Sequence, residues 1–161
     1  MARIRTRPAL GFTLVLPLVL VVATAWGQTA FPLLPFATIA AGKTSGVRQP
    51  ARVVIREAAS WQRLWRRHAG PTAEPPSVDF GREMVIALFA GETRRPVALA
   101  IARITREAGT LVVWYTQVDT RPLPQPEDVR VTPFHIVRLA RSRLPVKFVR
   151  IKTPPVGRSF P

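Results

Sequence analysis

The chain has 161 residues and no cysteine, with 24 Lys+Arg against 9 Asp+Glu and a formal net charge of +15. A cysteine-free chain has no disulfide, no lipid-modified cysteine anchor and no thiolate metal site. Charge alone leaves nucleic acid, anionic envelope polymers, anionic lipid headgroups and acidic proteins open as partners.

Arg3, Arg5 and Arg7 precede an uncharged apolar run over residues 10–25 that ends in small residues, the order of a secretory signal. The arginines hold the start in the cytoplasm, because positive charge crosses a bilayer unfavourably. Cleavage fits after Ala25 or after Gly27. The alternative is an uncleaved anchor, disfavoured by a run shorter than the ~20 residues of a bilayer span and by Pro17 within it. Residues 1–27 are therefore read as a signal, and the protein as periplasmic or extracellular, touching a membrane only through an uncleaved N-terminal segment. Loss of the three arginines lowers 24 basic residues to 21 and the net charge from +15 to +12. About 135 residues remain, enough for one domain that buries nearly 70% of its unfolded surface.

Residues 28–35, with Pro32 and Pro35, read as a linker. Residues 36–41 form a first strand, and residues 42–46 turn the chain without the Gly and Lys spacing of a phosphate-binding loop. A short β-branched strand follows at 53–55. Ser60 then stands as an N-cap before a helix closed by Gly70 and Pro71. Trp61, Leu64, Trp65 and His68 fall on one stripe of that helix, while Arg63, Arg66 and Arg67 face elsewhere. The tryptophans read as packing residues and not as a ligand platform.

A proline-rich loop over 71–76 leads through Val78, Asp79 and Phe80 to residues 84–90, an apolar run suited to a central strand buried on both faces. Val97, Leu99 and Ile101 alternate with Ala98, Ala100 and Ala102, so the alanine face suits close approach by the helix. Residues 107–110 turn the chain into a strand at 111–118, an antiparallel hairpin. Pro122, Pro124 and Pro126 mark an exposed loop. Strands at 134–139 and 146–151 follow, and residues 153–161 read as a flexible tail. The sum is an α+β domain over 36–152, a mainly antiparallel sheet of about six or seven strands with one short helix packed on it.

Trp61 and Trp65 on a short helix, then Asp79 and Phe80, Val85 and Ile86 ahead of Gly91, and finally Pro133, Phe134 and His135, resemble the C-terminal domain family named for PrcB, a protease complex subunit. The resemblance runs from about residue 36 to residue 148. It implies an exported, non-enzymatic domain associated with a secreted protease complex. The chain departs from that family after Gly91, where the family tends to open the next strand with Gly-Gly-Tyr and this chain has Glu92, Thr93, Arg94, Arg95, Pro96 and Val97.

His68 and His135 are the only histidines, so a two-histidine metal site needs both to converge with a carboxylate such as Asp79 or Glu83. Their spacing does not favour that. His135 between Phe134 and Ile136 reads as a satisfied strand residue. Asp79 between Val78 and Phe80 reads as a carboxylate beside the core that ties its loop by accepting backbone N–H groups. No catalytic residue, cofactor or metal is assigned. The structural or binding candidates are Trp61, Trp65, Asp79, Phe80, Gly91, Pro133, Phe134 and His135.

The sequence supports two functional readings. The first is an accessory domain that docks to a secreted or envelope protein such as a protease, for which Trp114 or Tyr115 left outside the core is the mark. The second is a basic domain holding anionic envelope polymer or lipid headgroups, for which arginines gathered on one face are the mark. Along the sequence the basic residues are scattered, densest at Arg63, Arg66 and Arg67 and at Arg138, Arg141 and Arg143. They are nearly all Arg, with Pro abundant and Asn absent, so codon bias in a GC-rich genome accounts for the charge equally well. Neither group is interleaved with aromatics as a nucleic-acid platform is, and export argues against nucleic acid.

Overall fold

The computed structural model describes residues 31–94, 97–119 and 130–152. The expected signal, its cleavage bond, the exposed proline loop and the tail lie outside the described residues. In chain order the elements are β1 (Phe36–Gly42), β2 (Ala51–Ile55), α1 (Ala58–Ala69), β3 (Glu83–Phe89), β4 (Val97–Glu107), β5 (Thr110–Asp119), β6 (Phe134–Ala140) and β7 (Val146–Ile151).

β3 organises the molecule. Residues 84 to 89 are all buried, and because side chains alternate along a strand, they feed two separate cores. Val85, Ala87 and Phe89 pack with Trp61, Leu64, Phe134 and Ile136 on the helix side. Met84, Ile86 and Leu88 pack with Ile101, Ile104, Leu111, Val113 and Tyr115 on the other. A strand apolar on both faces needs a layer on each side of it.

The α+β class holds, but the single sheet expected from the sequence is corrected. The seven strands divide into a four-stranded sheet ordered β1-β6-β3-β2 and a three-stranded sheet ordered β4-β5-β7. The larger sheet is antiparallel throughout. In the smaller one β4 and β5 form the expected antiparallel hairpin, and β5 and β7 run parallel, Leu111 opposite Val146. The reason for the split is that β4 and β5 are amphipathic. Their apolar side chains cover β3, so they must form a second layer on it and cannot extend its sheet.

Three local expectations change as well. α1 begins after Glu57, an extended residue with no side-chain cap bond, and not at Ser60, whose hydroxyl accepts from Arg63 at 2.9 Å. The alanine face of β4 does not receive the helix, which lies on the far sheet; Ala98 and Ala102 are exposed. The described part of the expected linker is laid along the free edge of β4, where Leu34 donates to the Ile104 carbonyl at 2.9 Å and Leu33 bridges Thr105. At the β4–β5 turn Ala108 and Gly109 both have positive φ, 43° and 77°, the combination that matches the twist of a two-residue hairpin loop.

Candidate functional site

Trp61, Trp65, His68, Phe89 and Phe134 meet beneath α1. Trp61 is 2% exposed and donates its indole N–H to the Pro76 carbonyl at 2.9 Å, which fastens the proline-rich loop to the helix. Its ring centroid lies 5.0 Å from that of Trp65, which stands edge-on to His68 at 5.2 Å, and His68 lies 4.2 Å from Phe134. Phe80 packs against the same cluster. His68 is buried, with Nδ1 2.8 Å from the Ser45 hydroxyl oxygen, which also accepts the Val47 N–H at 3.1 Å. Gly46 donates its N–H to the His68 carbonyl at 2.8 Å. The 42–46 turn is therefore the element that closes the C-terminal end of α1. These rings are interior packing, and Trp65 is the partly exposed member.

His135 points to the opposite side of the same sheet. Pro133 and Phe134 precede it, the Pro133 carbonyl accepting the Ala90 N–H at 2.9 Å. The backbone N–H of Ile101 donates to His135 Nδ1 at 2.8 Å, and Nε2 lies 3.0 Å from Thr38 Oγ1. A backbone N–H can only donate, so Nδ1 carries the lone pair and the proton sits on Nε2, donating to Thr38. One imidazole thus joins β1, β6 and the bulge of β4, where the register slips between Ile101 and Arg103. This joint spans both sheets.

Burial pushes the pKa of both His68 and His135 below the usual 6.5. A folded value below the unfolded one means that the unfolded chain binds more protons between the two. Stability is then full above about pH 6.5 and is lost as pH falls from there through the folded values, at no more than about 1.4 kcal/mol per pH unit for each proton. Urea melts between pH 7.5 and 5 should show that decline. The His135→Gln variant, neutral throughout, should show a shallower one, and an identical slope would remove His135 as a contributor.

Asp79 is not beside the core, which corrects the sequence reading. Its side chain is 62% exposed. Val78 and Phe80 turn inward to the helix-side core, and alternation along an extended segment sends Asp79 between them outward. The loop-tying role stands on backbone bonds. Asp79 Oδ1 accepts the Gly81 N–H at 2.9 Å, and its carbonyl accepts from Arg82 and Glu83 at 2.9 and 2.7 Å. Asp79 precedes the start of β3, whereas His135 pairs with Leu88 near its other end, so the two do not share a cleft. His68 and His135 lie on opposite faces of the sheet and do not converge. Among the described residues no group of three or more His, Cys, Asp or Glu could hold a metal ion.

Gly91 ends β3 with φ 79°, and a Cβ there would sit 2.7 Å from Pro50 N and Cδ. The turn is held by Glu92, whose N–H donates to the Arg48 carbonyl at 2.8 Å and whose carboxylate takes Arg130 at 2.7 Å.

Two groupings are not visible along the chain. The outer face of the three-stranded sheet carries Ala98, Ala100, Trp114, Val118, Val149 and Ile151. No described helix or strand lies over that face; its larger apolar side chains, Val112, Trp114, Val118, Val149 and Ile151, join neither core, Val112 being buried and the other four partly exposed. Trp114 lies under the Arg103 guanidinium, 4.7 Å from ring centroid to Cζ, and donates to Thr105 Oγ1 at 2.9 Å. Tyr115, by contrast, is 4% exposed and faces inward. At the end where β2 stops and β3 begins, Arg56 donates to the Ser142 and Leu144 carbonyls at 2.8 and 2.9 Å, Arg141 donates to the Arg56 and Phe80 carbonyls, and the Arg141 N–H reaches the Arg82 carbonyl at 2.7 Å. The Arg56 and Arg141 guanidinium groups bond to backbone oxygen, and among the described residues no carboxylate pairs with either. Only the register of β2, β3 and β6 brings them together. Comparison with protein-family models, with curated proteins and with solved structures finds no match to this chain.

Proposed function

We propose that the chain is a non-catalytic accessory domain that works outside the cytoplasm and docks to a secreted protein, a protease complex being the assembly to which the PrcB resemblance points. The observation that carries this reading is the outer face of β4, β5 and β7, over which no described helix or strand lies, with partly exposed Trp114 in its middle strand and Arg103 and Lys147 on the same face. A large aromatic in the centre of an apolar face is the side chain that anchors protein interfaces. Cations beside it select a partner surface that is apolar at its centre and carries carboxylates around it.

The test is affinity capture of secreted proteins on the full chain and on its Trp114→Ser variant, with identification of what is held. A secreted protease retained by the parent chain and recovered at least about tenfold less on the variant, at equal melting temperature, is the expected result. Equal recovery on both would remove this face, and capture of no protease would remove the assembly. A second reading, a domain that holds anionic envelope polymer or lipid headgroups, is favoured by Arg56 and Arg141, which meet at one end of the larger sheet. Its signature is binding to anionic vesicles that fails as salt rises past ~0.1 M.

A further inference from the structure

Between the two sheets, where β2 overhangs the ends of β4 and β5, lies a cleft of about 280 Å³ lined by Pro50, Arg52, Leu88, Leu99, Tyr115 and Gln117 among others. Its lining residues Leu99, Tyr115 and Gln117 are on the inner face of the smaller sheet and Trp114 is on the outer one, so a ligand in the cleft and a protein docked on that face occupy separate surfaces. Tyr115 is 4% exposed, and its hydroxyl accepts an N–H of Arg52 at 2.7 Å while the guanidinium carbon lies 5.4 Å from the ring centroid. A buried phenol thereby fixes the direction of a solvent-facing guanidinium, which removes most of the rotamer freedom that an arginine loses on binding a ligand.

A guanidinium has five N–H donors, and the phenol engages one group of them. Among the described residues no carboxylate forms an ion pair with Arg52. Glu92 takes Arg48 and Arg130, Glu83 takes Arg138, and Asp79 takes Arg82. The walls beside the guanidinium are apolar, from Leu88, Leu99 and Pro50, with the Gln117 amide as a further polar group. A fixed planar fork of donors in an apolar recess matches the two oxygens of a carboxylate.

We propose that this cleft binds a carboxylate carried on a small apolar group, with Arg52 taking both oxygens, Tyr115 holding Arg52 in place and the aliphatic walls covering the apolar part. The volume falls just below the ~300–1,000 Å³ of pockets for drug-sized ligands, so one short group fits and a whole cofactor does not. Two sources share that chemistry, the C-terminal residue of a peptide and a free short-chain acid.

The experiment is a backbone-amide NMR titration of the full chain with four probes: isovalerate, its amide, a pentapeptide ending in leucine, and the same peptide amidated. The two carboxylates should shift the Arg52, Leu99 and Gln117 signals saturably, and the two amides should not. A tighter peptide identifies a chain terminus as the ligand, and a tighter isovalerate identifies a free acid. Arg52→Gln should weaken binding at least about tenfold. Arg52→Lys, which keeps the charge and loses the fork, should fall in between. Tyr115→Phe should weaken it by a smaller factor while the ring keeps its packing. Equal shifts from acids and amides, no saturable shift from either acid, or undiminished affinity in a folded Arg52→Gln protein would overturn the assignment.

Discussion

Replacing Trp61 by alanine should lower the free energy of unfolding by about 3–5 kcal/mol, the range for truncating a large aromatic in a core. Trp61 is the indole that the helix stripe buries against β3 and β6, at 2% exposed. Its loss opens a cavity against Trp65 and leaves the Pro76 carbonyl without the N–H it accepts at 2.9 Å. Trp61→Phe separates the two parts, since a ring remains while the indole donor goes, and roughly 1 kcal/mol should be charged to the hydrogen bond. Trp65→Ala should cost less than Trp61→Ala, because Trp65 is only partly buried and the loss scales with area returned to water. Urea melts of the three variants give the ranking. A Trp61→Ala protein within about 1 kcal/mol of the parent, well short of the core-truncation range, would show that the aromatic cluster does not hold the helix to the sheet.

Gly91→Ala should cost about 2–4 kcal/mol, for two separable reasons. An L-residue at φ 79° is strained by roughly 1–2 kcal/mol. The new Cβ would also stand 2.7 Å from Pro50 N and Cδ and 3.0 Å from the Arg48 carbonyl oxygen. These are backbone and ring atoms, so the segment entering β2 must move as a piece. Gly109→Ala is the control. It has φ 77° and nothing within 4 Å of the added Cβ, so it carries the conformational strain alone. The difference between the two variants in thermal or urea unfolding measures the close approach at Pro50. Equal losses would show that the 42–50 segment yields freely, and that Gly91 is needed for its φ angle alone.

How much of the fold is legible in the sequence depends on whether the information is local. The seven strands and the helix announce themselves by alternation, β-branched runs and a stripe of Trp61, Leu64, Trp65 and His68, because those patterns are set by a few neighbouring residues. Strand partners are not local. Whether β4 extends the sheet of β3 or lies on it depends on the far side of Met84, Ile86 and Leu88, and no segment of the chain states that. The parallel pairing of β5 with β7 is hidden in the same way, since β6 between them belongs to the other sheet. Asp79 misleads for a different reason. Its apolar neighbours suggest apolar surroundings, yet in an extended segment they face the opposite way. His135 is legible as a satisfied strand residue, but its partners, Thr38 and the Ile101 N–H, come from strands that only the fold brings near. Arg52 gives no signal along the sequence, because its fixed geometry is supplied by Tyr115 from the other layer.

The placement of β1 bears on when the domain can fold. Among the described residues its one sheet partner is β6, with Phe36 opposite Leu139, and the bond from His135 to Thr38 closes a loop of 97 positions. The first strand of the domain therefore waits for nearly the last. Contacts of such long range bring their loop-closure entropy forward and slow the search, placing all-β and mixed topologies toward the millisecond-to-second end of folding times. A chain that emerges N-terminus first has no completed four-stranded sheet until β6 is out, and until then β1 has no strand to pair with.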